Sequence, residues 1–107
     1  MEPNLQDFER ARQVRLKQDM SWKNTHIRGI YRYTGSICVI AYHRIFGTIT
    51  IHFDLHKRNV YSYIGESEIP FIDNSCYPIK YIHSNKTLEA WVFNYIPSVI
   101  RHKCNQL

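Results

Sequence analysis

The chain has 107 residues, enough for one hydrophobic core and too few for two. Hydrophobic residues make up 44% of it, aromatic residues 14% with eight tyrosines, and the formal net charge is +5. No low-complexity tract is present, and no run approaches the roughly 18 to 20 apolar residues of a membrane span. Basic balance of this size favours an acidic partner, either nucleic acid or an acidic protein face.

The opening residues MEPNLQDFERARQ mix acids and bases ahead of any apolar block, which does not read as a secretory signal. Cys38, Cys76 and Cys104 are odd in number and widely spaced, with no CxxC pair, so a disulfide framework is not expected. Cys38 falls in the apolar run Ile37 to Tyr42 and reads as a small core residue. Together these features predict a cytoplasmic protein.

Residues Asn4 to Met20 carry a helical pattern. Asn4 suits an N-cap, with Asp7 three residues on. Leu5, Phe8, Leu16 and Met20 share one side, while Arg10 and Lys17 project from another. From His26 the period becomes two. In His26 to Tyr33, strict alternation puts Ile27, Tyr31 and Tyr33 on one face and Arg28 and Arg32 on the other. Thr34-Gly35 signals a tight turn. Ser36 to Arg44 is apolar on both faces and predicts a central strand.

The stretch from Ile45 to Asn59, IFGTITIHFDLHKRN, then alternates cleanly. Ile49, Ile51, Phe53 and Leu55 form its expected core face, and Thr48, Thr50, His52 and Asp54 its wet face. His56 to Asn59 is a basic turn, followed by a strand over Val60 to Ile64. Residues Gly65 to Pro78 are less regular and hold both Pro70 and Pro78, with an edge segment expected over Ile69 to Ile72 and, after them, a last short strand over Ile79 to His83. From Asn85, Leu88, Trp91, Val92 and Tyr95 fall at helical spacing, with Ser84 or Asn85 as the cap. Pro97 is expected to kink that helix.

The predicted architecture is a single α+β domain over residues 1–107, a two-layer sandwich. It has an N-terminal helix, an antiparallel meander of three to five strands, and a C-terminal helix kinked at Pro97. Helices covering one face of the sheet leave the other face as the place to look for function.

Aromatic groups on such a face, with Arg and Lys around them, suit nucleic acid, because bases stack on rings and cations meet phosphates. The residues that carry this expectation are Arg28, Arg32, His52, Lys57, Arg58 and Tyr61, with Arg10 and Lys17 as outer phosphate contacts. No RNP1-like motif accompanies them. Trp22, at the end of the first helix, and Phe93, which points away from the Leu88–Tyr95 stripe, are candidate anchors for a protein partner.

Catalytic and metal patterns are weak. His52 and His56, if both lie on a strand, stand about 13 Å apart, too far for one ion. No metal or other cofactor is expected. Asp54 with Glu66 or Glu68 resembles the acids of a metal-dependent nuclease only loosely, since the usual acid-x-Lys spacing is absent. No phosphate loop, HExxH or GxSxG occurs.

The small size, basic charge and Tyr- and Ile-rich composition without a catalytic motif resemble accessory proteins of phages and other mobile elements. No residue role follows from that likeness. The sequence therefore predicts a non-enzymatic regulatory or accessory protein that binds nucleic acid or a nucleic-acid-handling complex through a basic aromatic surface. The alternatives are an inhibitor- or antirepressor-like module that binds an acidic face of a host protein and, less favoured, the nuclease. No membrane partner is expected.

Overall fold

A computed structural model describes residues 25–65, 71–73 and 77–105. The expected N-terminal helix, with Arg10, Lys17 and Trp22, lies outside the described residues, as do Glu66 and Glu68.

Five antiparallel strands follow one another in space as they do in the chain. They are β1 (Thr25–Tyr33), β2 (Ser36–His43), β3 (Gly47–Asp54), β4 (Asn59–Ile64) and the short β5 (Phe71–Asp73). A helix, α1 (Asn85–Asn105), completes an α+β fold. None of the described helices is long and apolar enough to cross a membrane.

Short turns dictate the order of β1 to β4, because the two to four residues between successive strands can join only antiparallel neighbours. Gly35 turns β1 into β2 with φ +84°, a conformation that costs glycine nothing. The imidazole of His56 packs on it so closely that a Cβ at Gly35 would meet Nε2 at 2.7 Å. Between β2 and β3, His43 Nδ1 accepts the backbone N–H groups of Ile45 (3.1 Å) and Phe46 (3.2 Å). Between β3 and β4, Asp54 Oδ1 accepts those of His56 and Lys57, both at 3.0 Å.

One face of the sheet is the core. Ile37, Val39, Ala41, Ile49, Ile51, Phe53, Val60 and Ile64 are buried there. Leu88, Val92, Tyr95, Ile96, Val99 and Ile100 of α1 share their cluster. Trp91 bridges the layers, edge-on to Phe53 at 5.6 Å and stacked on Tyr95 at 4.6 Å. Ser84 caps α1, its Oγ accepting the Thr87 N–H at 3.2 Å. The helix continues through Pro97 for two further turns, so the apolar spacing extends to Val99 and Ile100.

Three expectations are corrected. Residues 79–83 form turns rather than a last strand. Cys38 lies on the face opposite the core and is half-buried, because its register partner is His52 and not a core residue. The alternation in β1 is interrupted. A bulge between Ile27 and Gly29 inserts one residue, after which every side chain changes face. Ile27 and Ile30 therefore both turn toward the core, while Tyr31 and Tyr33 turn away from it. Arg28 and Arg32 consequently do not share a face.

Candidate nucleic-acid interface

Residues paired across a ladder share a face, so the strand register fixes the layout of the open side. Four rows run across the strands. His26, Tyr42 and Thr48 form the first, and Gly29, Ile40, Thr50 and Tyr63 the second. Tyr31, Cys38, His52 and Tyr61 form the third, and Tyr33, Ser36, Asp54 and Asn59 the fourth. Five of the eight tyrosines thus stand on one surface, opposite the helix.

The rings are organised. Arg28, turned outward at the bulge, holds its guanidinium 4.4 Å over the Tyr42 ring centroid. His26 packs beside the same ring at 5.6 Å. His52 meets Tyr61 edge-on at 6.3 Å, and Asn59 Nδ2 donates to Tyr61 Oη at 3.0 Å. Tyr31 and Tyr33 are the most open, 49% and 62% exposed. Tyr31 also leans back along its strand over Gly29, where an added Cβ would stand 2.7 Å from Oη and 2.8 Å from Cε2 and Cζ.

Charge on the first four strands and their turns is one-sided. Between Thr25 and Gly65 the cations are Arg28, Arg32, Arg44, Lys57 and Arg58, and the single carboxylate is Asp54. The backbone N–H of Lys57, then that of His56, holds the Asp54 carboxyl below its ordinary value. That carboxylate is committed to shaping the turn that carries Lys57 and Arg58. Burial pushes the Tyr77 phenol up, with Arg58 and Asp54 acting on it in opposite senses. Burial likewise raises the Cys38 thiol above its usual value.

Of the residues singled out from sequence, His52 and Tyr61 meet on the open face and Arg28 lies on the same face over Tyr42, while Lys57 and Arg58 sit in the turn that joins β3 to β4. Arg32 does not join them. It pairs with Ile37 on the helix side, where its Nε donates to Asn85 Oδ1 at 2.9 Å. Phe93 is half-buried on α1. Tyr31, Tyr33, Tyr42 and Tyr63 were missed as a set. Gly29 inside a strand pattern was the available signal, since an isolated glycine there marks a bulge. Among the described residues no three His, Cys, Asp or Glu side chains gather where they could hold a metal ion.

No family model, curated protein or solved structure matches the chain.

Proposed function

We propose that the protein binds single-stranded nucleic acid on the open face of its sheet, without catalysing a reaction on it. The observation that carries this reading is the layout of that face, five tyrosines in registered rows with Arg28 laid over Tyr42. Stacking on an aromatic ring is worth about 1–3 kcal/mol per base and tolerates any base. Several rings with nearby cations therefore give useful affinity without a sequence-reading motif.

Spacing favours an unpaired strand. Tyr31 and Tyr33 are two residues apart, which is about 6.8 Å along a strand. Stacked nucleotides in a duplex strand rise only about 3.4 Å each. Bases engaged by successive rows cannot also stack on one another, so the ligand must be extended. Paired bases in a duplex cannot leave their stack without the cost of unpairing.

Fluorescence anisotropy against labelled single- and double-stranded DNA and RNA, over a salt series, tests the reading. Binding to the single-stranded ligands that falls steeply with salt supports it. Absence of binding at low salt sinks it, and the basic turn is then better read as contacting an acidic protein face.

A further inference from the structure

We infer that Gly29 is a positioning residue that seats Tyr31 as a platform for one unpaired base. The inference rests on the single-strand reading above and names one subsite within it.

Gly29 is not required by its own backbone. The glycines with positive φ are Gly35, Gly47 and Gly65, and Gly29 is not among them. An L-residue can therefore adopt its conformation. A glycine in a strand interior also weakens the strand, because it adds chain entropy and packs nothing. Its use lies above it. The outer end of the Tyr31 ring occupies the space a Cβ would fill, with Oη, Cε2 and Cζ all within 2.8 Å of that point.

Strand side chains ordinarily stand away from the sheet. Tyr31 instead lies back over the backbone, one side covered and the residue still 49% exposed. A ring held in this way loses little further freedom when a base stacks on its outer side. Preorganisation of that kind raises affinity by lowering the cost of ordering. The bulge completes the seat, because without the inserted residue Gly29 and Tyr31 would both face the core. Across the third row, Cys38 is the small register partner of Tyr31, and His52 with Tyr61 follow it. The ligand is thus a planar, unpaired nucleobase in an extended strand.

The test uses the full chain and fluorescein-labelled dT12 and rU12. Gly29→Ala and Tyr31→Leu are each expected to weaken binding about fivefold to 150-fold, the range of one lost stacking contact. The double variant should bind no worse than Tyr31→Leu alone, because both changes remove the same platform. Tyr31→Phe, which keeps the ring, should recover most of the affinity that Tyr31→Leu loses. A purely structural glycine would shift the melting temperature and leave affinity alone. Affinity of Gly29→Ala equal to the parent's, or losses that multiply in the double variant, would overturn the inference.

NMR provides a route that does not depend on Gly29→Ala folding. The Gly29 Hα that points along the missing Cβ, toward the outer end of the Tyr31 ring, should be ring-shifted in the parent and lose that shift in Tyr31→Leu. Adding dT12 should move the Gly29 and Tyr31 signals. Binding that leaves both unmoved overturns this subsite while sparing the broader reading, whereas no binding of either oligonucleotide by the parent overturns both.

Discussion

The guanidinium of Arg28 lies 4.4 Å above the ring of Tyr42, on the face of the sheet that the helix does not cover. A cation in this position is held over an aromatic surface yet keeps donors for a phosphate. Arg28→Ala should lower affinity for a single strand and reduce the salt slope by about 0.7, the value of one phosphate contact. Arg32→Ala serves as the control. Its guanidinium is bonded to Asn85 on the helix side, so it should affect the melting temperature more than the salt slope. Anisotropy over a salt series, with thermal melts of both variants, checks the pair.

Arg58 carries a second prediction because its backbone and its charge can be separated. Its φ of 55° is left-handed, which costs a non-glycine residue about 1–2 kcal/mol. Arg58→Gly should therefore hold or raise the melting temperature while lowering the salt slope. Arg58→Ala should lower the slope equally without relieving the backbone. If both variants bind with the parent's slope, the basic turn does not touch phosphate.

The relation between Ile27 and Tyr31 shows how far the sequence could be read. The strands, their antiparallel order and the buried side of β3 follow from two-residue periodicity and short turns. Ile49, Ile51 and Phe53 are buried, and Thr48, Thr50, His52 and Asp54 face away, as that period requires. Periodicity fails where one residue is inserted, because every later position then changes side. Ile27 and Tyr31 differ by four and look like one face, yet the bulge puts them on opposite faces. The same insertion separates Arg28 from Arg32, which strict alternation puts together. Cys38 turns on a related point. A central strand apolar on both sides does not reveal which side meets the helix, and that is settled only by its partners in β1 and β3. Lys57 and Arg58 were legible as a turn, since the turn is local. Their position beside the aromatic rows is set by register and was not.

The turn after β3 should be acid-sensitive in a defined sense. The Lys57 and His56 backbone N–H groups hold Asp54 below its ordinary value of 3.8. A carboxyl whose folded pKa is lowered contributes stability that is complete above the unfolded value and is lost as pH falls through the folded one. The Asp54 contribution should thus be constant at neutral pH and decline below pH 3.8. Asp54→Asn should flatten the parent's melting curve against pH in that window. If the variant and parent lose stability in parallel below pH 3.8, the carboxylate is not what closes the turn.

Cys38 reports on whether a ligand crosses the middle of the open face. It stands between Tyr31 and His52 and is half-buried, and burial raises its thiol pKa. The thiolate is the reactive form, so Cys38 should alkylate more slowly than a free thiol at neutral pH. A strand stacked on Tyr31 and reaching toward His52 would cover it. Timed labelling with N-ethylmaleimide, followed by mass spectrometry of the peptide containing Cys38, measures both effects. The rate should fall several-fold further when dT12 is saturating. Saturating oligonucleotide that leaves the Cys38 rate unchanged would place the bound strand away from the third row. Tyr31 and His52 would then have no part in holding it.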